Sequence, residues 1–272
     1  MNILITGSNG FIGRNLKKSL SQNHKIFSPT SKELDLTNSE SVDSYLRNKY
    51  FDWVIHCAIE GGRRSIPDSP DTTYNNLKIF FNLFKNRDRF RYLINFASGA
   101  EFDRRTEVNS SSNILSNSYP TDYYGMSKNI ITRIIESSDE DIFNFRIYGL
   151  FGIDEQENRF IKNSINQHKI GNPIVIDQDK FFDYFYIEDL VNLVLDVVKS
   201  PNQWKTQDLV YQKKYRLTDI ANIINNQSPK KTPIQIKTQT MGLSYSGTNT
   251  GLKVNFKLIG LEEGIKRVYN AL

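Results

Sequence analysis

The sequence predicts an α/β protein: a doubly wound parallel sheet with a smaller C-terminal α/β lobe. Two observations carry this. Through the first half, short β-branched or apolar runs alternate with amphipathic stretches of helical period, the pattern of right-handed βαβ units around a buried parallel sheet. The first of these runs also ends in a glycine-rich turn that opens a helix. At 272 residues and 38% hydrophobic content, the chain is long enough for one full domain and a lobe.

The elements follow in order. Strands are expected at Ile3–Thr6, Lys25–Ser28, Trp53–Cys57, Tyr92–Ala97 and Ile142–Ile147. Helices are expected between them, near Phe11–Ser21, Ser39–Lys49, Thr73–Phe84 and Tyr124–Ser137. After Gly152 the alternation loosens. Pro173–Ile176 reads as a strand, Tyr186–Lys199 and Leu217–Asn225 as helices, and 226–237 as loop and short strand. The expected division is 1–150 for the sheet domain and 151–272 for a substrate lobe, with 177–200 returning to the first. Ligands of open α/β sheets sit at the carboxyl ends of the strands, where that lobe is expected to lie.

Composition narrows the partners. No stretch approaches the roughly 18 apolar residues of a membrane-spanning helix. The sequence enters a strand at Asn2, which leaves no room for a signal peptide. One cysteine, Cys57, excludes an internal disulfide and fits the reducing cytoplasm; its apolar neighbours make it a core residue. The net charge of +5 is spread over short pairs such as Lys17–Lys18, Arg63–Arg64 and Lys230–Lys231. A solvated surface explains it, and no basic stripe interleaved with aromatics points to nucleic acid. No metal-ligand cluster is evident.

The turn after the first strand, Thr6–Gly7–Ser8–Asn9–Gly10–Phe11–Ile12–Gly13, carries the first functional signal. Small residues here allow a tight turn, close approach of backbone to a pyrophosphate, and close packing of helix on strand. The anion then rests on the N–H groups of the helix N-terminus. A glycine triplet alone is weak; after an N-terminal strand and before a helix it has the context of a dinucleotide site. The next strand ends in Ser28–Pro29–Thr30–Ser31–Lys32, without the acid that binds the ribose 2′-hydroxyl of NAD. Arg14 and Lys32 are in range of a 2′-phosphate, so the reading leans to NADP(H) over NAD(H).

Tyr124–Gly125–Met126–Ser127–Lys128 sets a tyrosine and a lysine four apart on one helix face. A free tyrosine titrates near 10, and a neighbouring ammonium favours its phenolate, which suits proton transfer to or from a substrate oxygen. Taken alone, such a spacing is common by chance and better explained by a plain surface pair. Upstream, the fourth strand ends at Phe96–Ala97–Ser98–Gly99–Ala100–Glu101–Phe102.

These motifs together resemble the extended short-chain dehydrogenase/reductase superfamily, the NAD-dependent epimerase/dehydratase family. Gly7, Gly10 and Gly13 form its GxxGxxG variant of the Rossmann turn. Phe185–Leu190 is similar to the extended family's hydrophobic-Val-Asp-Asp segment, and the branch that Thr30–Leu36 and Ile59–Gly62 with Tyr74–Asn76 resemble is the GDP-L-fucose synthase-like nucleotide-sugar reductases and epimerases. The resemblance implies Ser98, Tyr124 and Lys128 as catalytic residues. It also implies a cofactor held by Gly7, Asn9, Gly10, Phe11, Ile12, Gly13, Arg14, Asp35, Leu36, Ala58 and Lys128, and a homodimer. Departures matter too. Ala100 and Arg159 stand where that branch has the cysteine and histidine that move protons in epimerisation beside a keto group, and neither can do so. Gly99–Ala100 replaces the Asp-Glu of dehydratases. Phe182 stands in place of a diphosphate-clamping arginine, for which Lys180 or Arg63–Arg64 are candidate substitutes, and Gly149 in place of an asparagine.

The reading that follows is reduction of a 4-keto sugar nucleotide. A 4-epimerase with tightly bound NAD, which needs no further acid or base, is the second reading. A cofactor sensor without catalysis is the third.

Overall fold

In the computed structural model the described residues are 1–62, 66–109, 119–201, 205–248, 251–252 and 254–272. The chain runs β1 (Asn2–Thr6), α1 (Phe11–Leu20), β2 (Lys25–Phe27), α2 (Ser39–Leu46), β3 (Phe51–His56), α3 (Pro70–Phe84), β4 (Phe90–Ser98), β5 (Val108–Asn109), α4 (Tyr123–Ser137) and β6 (Ile142–Ile147). It continues through β7 (Leu150–Phe151), α5 (Phe160–Lys169), β8 (Ile174–Gln178), β9 (Phe185–Tyr186), α6 (Ile187–Lys199), β10 (Thr206–Asp208), α7 (Leu217–Asn225), β11 (Ile234–Thr238), β12 (Tyr245–Ser246) and α8 (Leu261–Ala271). Two compact units result: Met1–Asp103 with Ser112–Arg146 and Val194–Gln207, and Arg104–Ser111 with Ile147–Leu193 and Asp208–Leu272.

The first unit is built on a six-stranded sheet of order β10-β6-β4-β3-β1-β2. β1 runs parallel to both β2 and β3, and β3 parallel to β4. Its central strands are buried on both faces, which is why they read as near-continuous apolar runs. Leu4, Val54, Phe80, Leu83, Leu93, Ile131 and Ile135 pack into one core between sheet and helices. Trp53 stacks on Tyr92 at 4.6 Å between ring centroids and meets Phe143 at 5.5 Å, pinning three neighbouring strands together.

The second unit pairs β8 with β11, β5 with β12 and β7 with β9, each in parallel. Asp189, fully buried at the start of α6, accepts from the Tyr211 hydroxyl at 2.5 Å and from the amides of Ile259 and Gly260 at 2.7 and 3.0 Å. One carboxylate thereby fixes the chain just before α8. A second buried carboxylate, Asp183, pairs with Lys214 at 2.5 Å and accepts from the Gly247 amide. Burial outweighs the Lys214 charge, and the Asp183 carboxyl titrates above its ordinary range.

The periodicity placed α7 at its observed bounds and missed two helices. α8 shows the spacing Leu261, Ile265, Val268 with Glu262 and Glu263 in the first turn, a helical signature interrupted only by Gly264. That glycine is required, because a Cβ there would lie 2.8 Å from the Tyr186 ring. α5 buries Phe160, Ile161 and Ile165 but carries polar residues that share the buried side, including Ser164 and His168. His168 is held from both ring nitrogens, by the Tyr269 hydroxyl at 3.1 Å and the Lys230 carbonyl at 3.0 Å. A strict apolar stripe is therefore absent there.

Candidate active site

The glycine turn is shaped by backbone contacts that leave no room for side chains. Gly7 has φ +63°, and a Cβ there would lie 2.6 Å from the Ala58 amide nitrogen, so the end of β3 lies directly against the turn. A Cβ on Gly13 would lie 2.4 Å from the Gly7 carbonyl oxygen, which lets α1 start on top of the turn. The Gly10 amide closes the turn on the Gly7 carbonyl at 3.0 Å. α1 has no acidic residue in its first turn and no side-chain cap at Gly10. Its leading amides have no carbonyl within the helix to bond, so this end suits an anion. Thr6 and His56 tie β1 to β3 behind it, Oγ1 to Nδ1 at 2.8 Å.

The other candidate cofactor residues are in different states. Leu36 is buried, and its carbonyl accepts from Asn82 Nδ2 at 2.8 Å. The Asp35 carboxylate accepts from the Thr37 hydroxyl and amide at 2.7 and 2.9 Å, bonds that lower its pKa. It caps its own turn. Arg14 is exposed on α1, its guanidinium 5.9 Å from the Phe11 ring centroid. Cys57 is partly exposed as a residue, a correction to its assignment to the core, yet its thiol is enclosed and burial pushes the thiol well above its ordinary range. That is no thiolate nucleophile.

Ser98, Tyr124 and Lys128 come together in the first unit. β4 ends at Ser98, whose hydroxyl accepts from the Ala100 amide at 3.1 Å and so starts a short 3₁₀ turn, Gly99–Glu101. Asp122 caps α4 by accepting from the Gly125 amide at 2.8 Å, which places Tyr124 in the first turn. A Cβ on Gly125 would lie 2.3 Å from the Ala100 carbonyl oxygen; the glycine lets α4 begin against the turn after Ser98. Lys128, 6% exposed, donates to the Phe96 carbonyl at 2.5 Å and lies 5.8 Å from the Tyr124 ring centroid. Burial lowers its pKa to about 8, with Glu101 and Cys57 acting in the opposite direction. His56 is pushed down to about 3, by burial first and then by Lys128, and is neutral at physiological pH.

Residues beyond the sequence-stated set hold these groups. Asn76 on α3 accepts from the Glu60 amide at 2.9 Å, donates to the Glu60 carbonyl at 2.9 Å, and reaches Ser127 Oγ on α4 at 3.2 Å. The loop so anchored brings Gly62 against the Tyr124 ring, 3.1 Å from where its Cβ would be. Behind Ser98, Glu101 is fully buried and paired with Arg146 on β6. The available signal was polarity in apolar company: Asn144 and Arg146 alternate with Phe143 and Phe145, so both point to one sheet face. Arg63 and Arg64 lie outside the described residues. Among the described residues no group of three or more His, Cys, Asp or Glu could hold a metal ion.

Sheet order and glycine turn define a Rossmann-type α/β fold, and the family match makes the chain an enzyme of the short-chain dehydrogenase/reductase class. The chain belongs to the NAD dependent epimerase/dehydratase family, whose model matches residues 3–211. It is 23% identical to the GDP-L-colitose synthase of Yersinia pseudotuberculosis, over 98% of this chain and 96% of that one. It is 33% identical to the GDP-L-fucose synthase of Azorhizobium caulinodans over 105 residues, a segment spanning 37% of this chain and 34% of that enzyme. In fold it is similar to a GDP-mannoheptose C4 reductase from Campylobacter jejuni with NADP bound, at a TM-score of 0.82 and 15% identity, over 99% of this chain and 97% of that one.

Proposed function

We propose that this protein reduces a 4-keto sugar nucleotide with NADPH, Tyr124 acting as the general acid. The observation that carries the reading is the grouping of Ser98, Tyr124 and Lys128 at the junction of β4 and α4, in one unit with the glycine turn. The cradle suits the cofactor: Gly7 and Gly13 let the backbone close tightly around the turn, and Gly10 leaves the α1 N-terminus open to a pyrophosphate. Ala58, Asp35, Leu36, Asn9, Phe11, Ile12 and Arg14 surround the rest of that dinucleotide, and Lys128 holds its nicotinamide ribose. Bound there, NADPH supplies the hydride.

The chain's own residues do the remainder. The Ser98 hydroxyl orients the keto oxygen, and Tyr124 gives up its proton as charge develops on that oxygen. The Lys128 ammonium stabilises the phenolate left behind. Donors fixed in place by β4 and α4 need no reorganisation at the moment of transfer, the main source of rate in such sites. The second unit is the substrate lobe. Family relatives named for GDP-sugars support a nucleotide-linked substrate, and an NADP-bound fold relative supports NADP(H). The active form is a homodimer through α3 and α4, which pack together and leave Tyr74, Phe81 and Tyr123 exposed. It works in the cytoplasm; no described helix is long and apolar enough to cross a membrane.

The test is mass spectrometry of any nucleotide released from the purified protein, with NADPH and NADH titrated alongside. A protein purified empty that prefers NADPH supports the reductase. Tightly retained NAD replaces this reading with a 4-epimerase that uses the same residues.

A further inference from the structure

Glu101 has a place in the site that the reductase reading above does not use. It ends the 3₁₀ turn that begins at Ser98 and is fully buried. Its carboxylate pairs with the Arg146 guanidinium and accepts from the Thr132 hydroxyl at 2.8 Å. Its backbone carbonyl accepts from Asn129 Nδ2 at 2.8 Å. Asn129 and Thr132 follow Lys128 by one and four residues on α4, so Thr132 and Lys128 share a helix face. Behind Thr132 the network continues through Asn144, at 3.1 Å, to Asn95 on β4, at 2.6 Å. An arginine and a glutamate enclosed this deeply are costly unless paired and fully hydrogen-bonded, and replacing such a pair by apolar residues is often neutral or better for stability. A role beyond folding accounts for its presence beside these particular residues.

We propose that Glu101 is a positioning residue for the Ser98–Tyr124–Lys128 set: its clamped carboxylate locks the Ser98 turn onto α4 and, held by Thr132, sets a negative charge one helical turn along from Lys128. This inference rests on the reductase reading for what the set does, and on geometry alone for how it is held. Among the described residues, the charged and titratable groups around Lys128 are His56 at the end of β3, Cys57 just after it, Tyr124 from its own helix, and Glu101 from the turn, with Arg146 paired to Glu101. His56 is neutral and the Cys57 thiol is protonated at physiological pH, so Glu101 is the anion that opposes the effect of burial. Without it the lysine loses its proton nearer neutrality, and the tyrosine loses its cationic neighbour.

The experiment is an NMR titration of protein carrying ¹³C-lysine, following the Lys128 Cε signal, identified by its loss in Lys128→Met. In the wild type that signal titrates near pH 8. In Glu101→Gln the midpoint falls by about one pH unit or more, and Glu101→Asp restores part of it. The double variant Glu101→Gln/Arg146→Gln leaves no unpaired buried guanidinium and keeps the comparison available if the single variant fails to fold; because the Arg146 cation is removed as well, its downward move is smaller than that of the single variant. NADPH titrations on the same samples lose affinity at the correspondingly lower pH. A Lys128 midpoint unchanged in the single or double variant overturns the inference, and so does full restoration by a neutral side chain. Failure of the wild type to bind NADPH is a different result: it overturns the reductase reading, while the lysine titration still decides the role of Glu101.

Discussion

Substituting alanine at two glycines of the same turn separates the packing argument from the pyrophosphate argument. At Gly13 the three atoms nearest a new Cβ are all backbone: the Gly7 oxygen at 2.4 Å, Ser8 Cα at 2.7 Å and the Gly7 carbonyl carbon at 2.9 Å. The first lies about 1 Å inside ordinary van der Waals contact, which begins near 3.4 Å, and no side chain is available to rotate away. Overpacking of this kind costs about 1–3 kcal/mol, against a gain of about 1 kcal/mol from replacing glycine within a helix. The net cost, up to ~2 kcal/mol, lowers the melting temperature by about 2–4 °C per kcal/mol in a chain of this size. The displaced turn then binds NADPH about 10–100-fold more weakly, at a tenfold loss per ~1.4 kcal/mol. Gly10 is different. It has extended backbone at φ −75°, and its Cβ would meet only the Gly7 oxygen, at 3.3 Å. Gly10→Ala, at the N-cap of α1 where glycine is preferred to alanine, costs about 0.5–1 kcal/mol and lowers the melting temperature by only a few degrees. If the pyrophosphate rests on this helix end, however, the methyl group intrudes on it and affinity falls about tenfold or more. Thermal melts and fluorescence titration of NADPH read both quantities. A Gly13→Ala protein that melts like the wild type refutes the packing argument. A Gly10→Ala protein that binds NADPH normally refutes the location of the pyrophosphate.

Other outcomes follow from the same geometry. Tyr124→Phe removes the acid and leaves the cradle intact, so turnover falls by about 10²–10⁴-fold while the NADPH dissociation constant changes little; steady-state kinetics and a binding titration separate the two. Glu155 is 5% exposed, both of its carboxylate oxygens are buried with no hydrogen-bond partner among the described residues, and burial raises its pKa to about 8 against the pull of Arg159 and Lys162. Between its unfolded value of 4.5 and about 8, the folded chain keeps a proton that the unfolded chain gives up, so stability falls as pH rises through that window. Glu155→Gln is then more stable than the wild type by an amount on the order of a few kcal/mol at pH 8 and by almost nothing below pH 4.5; denaturant melts at both pH values check the sign. The buried His56 acts in the opposite direction: depressed to about 3, it makes the protein lose stability as pH falls from 6.5 towards 3, and a neutral replacement such as His56→Gln flattens that part of the acid limb.

How much could be read in advance depended on what each residue answers to. β1, the glycine turn and α1 are governed by local pattern, since an apolar run, small residues and a helical period specify them together, and the sequence reading placed all three. β3, β4 and β6 are likewise legible because strands buried on both faces read as apolar runs. Ser98, Tyr124 and Lys128 could be proposed because their motifs resemble those of the family, but their approach depends on Gly125 fitting under the Ala100 carbonyl, a contact no motif reveals. Glu101 went unassigned because its partners, Arg146 and Thr132, are 45 and 31 residues away. Asp35, which the resemblance implies as a cofactor residue, has its side chain engaged by Thr37 in a local turn, a bond to a neighbour two residues away that the motif did not indicate. The lobe was least legible, because β7, β9 and β12 are two residues each and leave almost no periodicity to detect.

The most direct test of the central claim is a reaction of purified protein with NADPH and a GDP-linked 4-keto-6-deoxyhexose, followed by loss of the reduced nicotinamide's near-ultraviolet absorbance, with Tyr124→Phe run in parallel. The account expects NADPH oxidation matched by formation of the 4-hydroxy sugar nucleotide, and its near-disappearance in the variant. Turnover that survives in Tyr124→Phe would contradict the assignment of the acid, and a wild-type protein that binds neither NADPH nor NADH would contradict the account at its base.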